Sequence, residues 1–393
     1  MPAVASLADA VTRYAPALHA AAGGAHHVAS PLGAWLVLAL AGSAARDEEA
    51  ERLGDVLGLP VAEAAQAARA LLDDPHPAVA AAAAAWTAPG GDDAARWLDG
   101  LPAAVARGPV PGRAEADAWA RERTLGLVER FPLDLDRDWV CVLASALATR
   151  VTWLRPFDVV DAEGFRSPWR DRVGTVLRSP GLGHRCAIVR HADAGELAVH
   201  RADADGLVVT SVLADPDIAP GRVLAAAHDA ARDRVAPRSL FDLPLGDGPS
   251  WTITEHAGDD GEERITALLP AWSVRSEHDL TPPGAGFDVA AGVLMRLFGA
   301  GGPWDARQVA VARYDARGFE AAAVTGLFVA ASAVRRSPGR RRDALLRFDR
   351  PYAVVSTAHG TGPWYGLPVF SAWVGEPGDG GPSTSRVRGV SLP

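Results

Sequence analysis

The chain of 393 residues contains no lysine and no asparagine. All 39 of its Lys-plus-Arg cations are therefore arginines, and roles usually met by an ammonium or a side-chain amide of Asn must be met otherwise. Alanine, glycine and proline are plentiful, so this gap reads as a GC-rich coding bias and not as a functional signal. Cysteine is scarce. Cys141 and Cys186 are the only two, and neither has a second Cys or a His pair at metal-ligand spacing. Both read as buried free thiols, and nothing in their spacing supports a disulfide. No run of 18 apolar residues goes unbroken, so no membrane span is expected. The start, Met1-Pro-Ala-Val-Ala-Ser-Leu-Ala-Asp-Ala10, lacks the positive region and continuous apolar stretch of an export signal, which makes the cytoplasm the expected location. A net charge of −9 argues against general binding to nucleic acid or anionic membranes.

What is present is globular: 48% hydrophobic and 22% charged residues, enough for one large or two ordinary domains. Helical spacing marks residues 6–22, Arg46 to Leu57, Val61 to Leu72 and Ala114 to Phe131. Ser30-Pro31 opens a helix that is apolar all round and should be buried. Ala78 to Trp86 is a helix or a buried strand. Trp139 to Trp153 reads as a long buried strand. Later residues form short strands (Leu197 to His200, Leu207 to Leu213, Trp251 to Glu255, Arg264 to Leu269, Trp272 to Glu277, Leu345 to Ser356, Trp364 to Val374). Helices interrupt them at Val223 to Arg234 and 288–298. Helices thus dominate the first third and strands the rest. There is no βαβ alternation, so a doubly wound parallel sheet is excluded. Residues 378–393 read as a disordered tail.

The segment from Asp315 to Ser337 is the most informative. Read with period two, Phe319, Ala321, Ala323, Thr325, Leu327, Val329 and Ala331 share one face, apolar but for one hydroxyl. The far end is basic and rich in Ser, Pro and Gly. One reading is a hairpin strand followed by a long loop. The other is a protease-baiting loop that can enter its own sheet. The stretch from Gly318 to Arg336 spans roughly 60 Å if extended, enough to cross a domain of this size. Arg335, Arg336 and Arg340 to Arg342 read either as a solvated basic loop or as bait, with polyanion binding a third possibility. His26-His27 reads as a loop pair and not as a metal site. Gly299-Ala-Gly-Gly302 follows a helix, which excludes a phosphate loop. No Gly-x-Ser-x-Gly elbow occurs, and no carboxylate or Cys/His spacing suggests an enzyme.

Five blocks, in order, resemble the serpin family. They are His27-Val-Ala-Ser-Pro-Leu-Gly33; Trp119-Ala-Arg-Glu-Arg-Thr-Leu-Gly126; Val142 to Asp158, with its Trp153 and Pro156-Phe157; Gly318-Phe-Glu-Ala-Ala-Ala-Val-Thr325; and Phe348-Asp-Arg-Pro-Tyr352 with Phe370 to Pro377. The resemblance implies one mixed α/β (α+β) domain over residues 1–377, with three β-sheets, eight or nine helices and an exposed reactive-centre loop. It implies a metastable inhibitor of a serine protease, trypsin-like or subtilisin-like, that acts as a suicide substrate when the cut loop inserts into the main sheet. Such a protein supplies no catalytic residue and needs no cofactor or metal. It is expected to be a monomer, and by family analogy it acts outside the cell. A non-inhibitory binding or structural protein of the same fold, whose loop is merely cut, is the alternative.

The resemblance also assigns residues. Gly318, Phe319, Glu320, Ala321, Ala322, Ala323, Val324 and Thr325 form the loop hinge, and Ser30, Pro31, Ser145, Trp153 and Gln308 belong to the shutter and breach that hold the sheet closed. Ser145 stands where an Asn is usual, Gln308 where a His is usual, and Ala316 where a Glu is typical. Phe319 replaces a small residue, and an overpacked hinge there costs insertion about 1–3 kcal/mol. Counting back from Pro351 places the reactive bond at Arg336-Ser337, and counting forward from Gly318 places it at Ser332-Ala333.

Overall fold

The computed structural model describes residues 6–378 apart from 136, 138, 167, 182 and 320–337. The helical first third follows its apolar spacing. Ser6 caps α1 (Leu7–Ala22), accepting from the Asp9 amide while Asp9 accepts from the Ser6 amide. After β1 (His27–Ala29), the Ser30 hydroxyl accepts from the Gly33 amide at 3.1 Å and opens α2 (Pro31–Gly42). Every residue of α2 but Val37 is buried. Then come α3 (Asp47–Leu57), α4 (Val61–Asp73) and β2 (Val79–Thr87), the run whose period left helix and strand open. Next are α5 (Asp92–Gly100), which the sequence reading missed, β3 (Val105–Gly108) and α6 (Arg113–Arg123).

Helix α6 stops well short of the expected Phe131. Leu125 and Gly126 take positive φ of 54° and 83°, and the Thr124 hydroxyl donates to Ala120 O and accepts from Val128 N. The long strand is present as β4 (Cys141–Thr149) and β5 (Val151–Thr152), interrupted at Arg150. The rest runs β6 (Asp158–Val160), β7 (Val176–Arg178), β8 (His184–His191), β9 (Gly195–Ala204), β10 (Leu207–Leu213), α7 (Pro220–Ala231), β11 (Gly246–Asp247), β12 (Trp251–Asp259), β13 (Glu262–Pro270), β14 (Trp272–Asp279) and α8 (Phe287–Phe298). It closes with β15 (Arg307–Tyr314), β16 (Gly318–Phe319), β17 (Pro338–Arg347), β18 (Tyr352–Ala358) and β19 (Pro368–Val374). The single strand expected near Leu345 to Ser356 is thus two, parted around Pro351, which has no amide hydrogen to give a ladder. Of the expected tail, only Gly378 lies among the described residues.

These elements build one α+β domain. Among the described residues, hydrogen bonding divides its strands into four sheets: β1-β19-β18-β10-β9-β8, β11-β12-β17-β13-β7-β6, β14-β15-β16-β5 and β3-β2-β4. Three were expected. The last two are halves of one layer, because β4 and β5 are one nearly continuous strand that passes from one half to the other. The main core lies between this layer, α2 and one face of the first sheet, while α7 packs Val223 and Ala227 onto the other face through Val212 and Val355.

Seven of the eleven histidines are buried. His19 Nδ1 lies 2.8 Å from His27 Nε2, His19 Nε2 is 2.6 Å from Ser371 Oγ, and His278 Nε2 meets Val28 O at 2.7 Å. Burial pushes His27 and His228 down to about 4, and holds His19 and His200 well below the ordinary range. These rings are neutral in the fold, whereas in the unfolded chain they protonate near pH 6.5. The stability they lend is complete above about pH 6.5 and is lost as pH falls toward about 4. We expect the fold to lose several kcal/mol between about pH 6.5 and pH 5, before most carboxylates titrate. Melting curves at constant ionic strength check this, and a flat profile across that window would refute it.

Candidate functional site

The divided layer is the most distinctive site. On one side β4 pairs with β2 along its whole length, from Val79↔Thr149 to Thr87↔Cys141. On its other side no described strand pairs with it. Only at the upper end is the layer joined, where β16 pairs with β5 (Gly318↔Thr152, Phe319↔Val151) and with β15 (Tyr314↔Phe319). Strand β15 itself is paired with β14 from Trp272↔Tyr314 to Asp279↔Arg307. Below the junction, β4 and β15 face each other across a cavity of about 220 Å³. It is lined by Leu143, Ser145 and Leu147 on one lip and by Gln308 and Val309 on the other. It reaches Gly33, Ala34 and Val37 of α2 on one face and Trp119, Val128 and Phe131 on the other. A cavity that touches both faces of a sheet is a slot through it.

The N-terminus of α2 fastens both lips. Ser145 Oγ donates to Gly33 O at 2.7 Å. Opposite, Gln308 closes a ring on the backbone of Ser30: the Ser30 amide donates to Oε1 at 2.9 Å, and Nε2 donates to Ser30 O at 3.0 Å. The donor and acceptor of that backbone fix which way the Gln308 amide points. Ser30 Oγ also donates to Val369 O at 2.8 Å, and Pro31 begins the helix where no amide is needed. Gly33 permits this approach, because a Cβ there would sit 3.0 Å from Ser30 Oγ and 3.3 Å from Leu147 Cδ1. Ser145 and Gln308, the departures noted in the sequence, thus both reach the helix start.

The upper end is closed by main-chain bonds and aromatic rings. Trp153 donates from its backbone to Arg317 O at 3.1 Å and from Nε1 to Asp315 O at 2.9 Å, while Phe157 N donates to Ala316 O. Ala316, where a Glu is typical, therefore serves through its carbonyl. Asp315 shapes the turn. Its Oδ1 accepts from the amides of Arg317 (2.8 Å) and Gly318 (3.1 Å), and its Oδ2 lies 3.1 Å from Arg313 Nε. Reading the sequence passed over this residue, although an Asp two and three positions before Arg-Gly is a turn signal. Tyr314 stacks on Trp272 and lies 5.0 Å from the Trp153 ring and 5.7 Å from Phe157. Phe319 is 3% exposed. The ring already occupies the core, beside Val151 and Tyr314.

The other hinge residues, Glu320 to Thr325, and both candidate bonds, Arg336-Ser337 and Ser332-Ala333, lie outside the described residues. So does Arg335. Arg340 to Arg342, read from the sequence as loop, are strand residues of β17. Arg340 and Arg342 both pair with Glu255. Other polar clusters look structural. The chain Ser371–His19–His27 has the outline of a nucleophile and its base, but Ser371 is 1% exposed and no substrate can reach it. Burial raises the thiols of Cys141 and Cys186 to about 12 and about 11, leaving neither as a nucleophile at neutral pH. Among the described residues no group of three His, Cys, Asp or Glu is placed to hold a metal ion, and no helix is long and apolar enough to cross a membrane.

No protein-family profile matches the sequence, and no curated protein matches it. The fold does match solved structures. Human thyroxine-binding globulin complexed with thyroxine aligns with a TM-score of 0.64 at 14% identity, covering 95% of this chain and 98% of that one. Serpin48, described as a highly specific serpin of the insect Tenebrio molitor, aligns at 0.57 with 16% identity, over 94% and 97%. The thermophilic serpin tengpin in its native state aligns at 0.61 with 13% identity, over 93% and 92%. The chain has the serpin fold. At these identities the likeness extends to architecture alone.

The lips give a direct test. Gln308→Ala removes two hydrogen bonds and leaves the Ser30 amide without its partner, so it should cost the fold about 1–3 kcal/mol. Ser145→Ala should cost about 1 kcal/mol. Because both act on one helix start, the double variant should depart from additivity. Urea denaturation of all three checks this, and strict additivity would argue against a shared anchor.

Proposed function

We propose that this protein inhibits serine-type endopeptidases as a suicide substrate, by inserting its cut loop into the slot between β4 and β15. The observation that carries this reading is the hinge. Gly318 and Phe319 already stand as the first strand residues between the two lips, and Phe319 points inward. Continuing the register Phe319↔Val151 would set Glu320 against Arg150 and carry the chain down the slot to Val329 against Cys141. The alternation that buries Phe319 would also bury Ala321, Ala323, Thr325, Leu327 and Val329, the apolar face legible in the sequence. Ten added strand residues at about 1 kcal/mol per net hydrogen bond give a driving force on the order of 10 kcal/mol, before burial of the slot walls.

In the reaction the protease serine attacks the carbonyl of the residue before the scissile bond. The amine of the next residue leaves, and an ester joins the two proteins. Insertion must then carry the acyl-enzyme away before water cleaves it. This chain's own part is bait and stored free energy, so no enzymatic activity, cofactor or metal is proposed for it. Arg336-Ser337 suits a trypsin-like or subtilisin-like target. Ser332-Ala333 leaves five residues before β17 and follows Val329, at the floor of the slot, by only three positions. The second reading, a loop cut without trapping, is supported by the likeness to a globulin described by the ligand it carries.

The test is to mix the purified protein with trypsin and with a subtilisin-like protease and run a denaturing gel. A band at the summed mass, stable in detergent, is expected, and mass spectrometry of the released C-terminal peptide fixes the bond. Clean cleavage without that band across several proteases would favour the second reading. A parity test adds to this. Ala323→Arg, on the inward face, should turn the inhibitor into a substrate, whereas Ala322→Arg should retain most of the complex yield. Equal effects would exclude the proposed register.

A further inference from the structure

The walls of the cavity between β4 and β15 carry almost no free charge. Of the described residues that line it, only Asp305 and Arg307 are charged, and Arg307 Nε lies 3.1 Å from Asp305 Oδ1. Polar side chains in the walls are already bonded. Thr124 Oγ1 donates to Ala120 O at 2.7 Å and accepts from Val128 N, and Trp139 Nε1 donates to Asp134 O at 2.7 Å. Ser30, Ser145 and Gln308 are held at the start of α2 by the bonds described above. The rest of the lining is mostly apolar. Val37, the one residue of α2 that is not buried, faces this space as part of its wall. Phe287, Ala291 and Leu294 come from α8, which packs on α2, and Phe131 lies on the opposite face.

Hydrogen-bonding capacity is left on the strand edges. Among the described residues, β4 pairs only with β2, and β15 below Tyr314 pairs only with β14. In an antiparallel ladder, alternate residues turn both N–H and C=O away from the partner strand. Each lip thus offers donor and acceptor side by side in the plane of the sheet, with apolar walls above and below. Such a space selects a shape. A flat ring lying in the sheet plane puts its faces against the walls and its edge against the backbone groups. In-plane donors and acceptors on that ring meet the lips as the amides of a neighbouring strand would. Size narrows the class further. An apolar cavity of about 150 Å³ accepts benzene. The cavity here, at about 220 Å³, is larger by about half, which suits two fused rings. A charged ligand finds no free counter-charge in these walls and loses its hydration on entry.

We propose that this cavity binds a neutral, planar, fused bicyclic heteroaromatic molecule that carries an adjacent N–H and C=O in its ring plane. The proposal does not depend on loop insertion. Its test titrates the intact protein with carbostyril, a fused benzene lactam that has this edge, and with naphthalene, which has the shape without it. Tryptophan fluorescence and melting temperature are followed. Trp119, Trp139 and Trp304 line the cavity, so occupancy should change their emission. Carbostyril should raise the melting temperature in a saturable way. It should bind at least about tenfold tighter than naphthalene, the return expected of two net hydrogen bonds. Val37→Phe fills the cavity from α2 and Ala291→Leu fills it from α8. Each should weaken carbostyril binding at least about tenfold. Melting curves without ligand show which variants fold; one folded variant suffices, and if neither folds the two probes on wild type decide. No binding of either probe at millimolar concentration would overturn the proposal. Undiminished binding in a folded, filled variant would place the ligand elsewhere and overturn the site. Equal affinity for naphthalene and carbostyril would overturn the part assigned to the lips, and with it the ligand class.

Discussion

The side-chain amide of Gln308 closes a two-bond ring on the backbone of Ser30, and Ser145 reaches the carbonyl of Gly33 one helical turn away. These bonds tether both lips of a parted layer to a single rigid body, the buried helix α2. A sheet edge normally satisfies its backbone groups with another strand or with water. Here the edges of β4 and β15 face each other, and side-chain bonds to one helix start hold their spacing. The helix start thus ties the two lips to one another. Gly33 is what lets the helix stand close enough for short side chains such as Ser145 to reach.

From that constraint the rest follows in order. Since β4 and β5 are one strand, the layer can be open below Arg150 and closed above it. The closed part is small, two residues of β16, but it is over-determined. Asp315 shapes the turn, Trp153 and Phe157 bind three successive carbonyls from Asp315 to Arg317, and the rings of Trp153, Phe157 and Trp272 pack around Tyr314. None of these bonds depends on the side chain at position 316, which explains how Ala replaces Glu there without loss of the turn. The same arrangement seats the Phe319 ring in the core at the closed end of the layer.

The sequence made the helices of the first third and most core strands legible, because burial there follows a simple period. Ser30-Pro31 announces α2 through cap chemistry alone. Of the period-two face that starts at Phe319, only Phe319 lies among the described residues, and it is buried. Other features were not legible, and the reasons are physical. The early end of α6 depends on a positive φ at Leu125, which no propensity foretells. The break at Arg150 divides one apolar run without any turn residue. The placement of β17 between β12 and β13 joins segments some eighty residues apart, and Arg340 to Arg342 look like a solvated loop until Glu255 is seen beside them. The buried histidines, among them His19, His27 and His228, tie stability to mild acid in a way that neutral amides would not.

On the insertion reading, the hinge is where the new strand begins. Phe319 already pairs with Val151 on one side and Tyr314 on the other, so the first step of strand formation would precede any cut. Adding residues after a nucleus fixes fewer new degrees of freedom per bond gained, and on that reading each added residue would meet the edges of β4 and β15 that no described strand occupies. Cleavage would then not have to start a strand, because it would free one that has already begun.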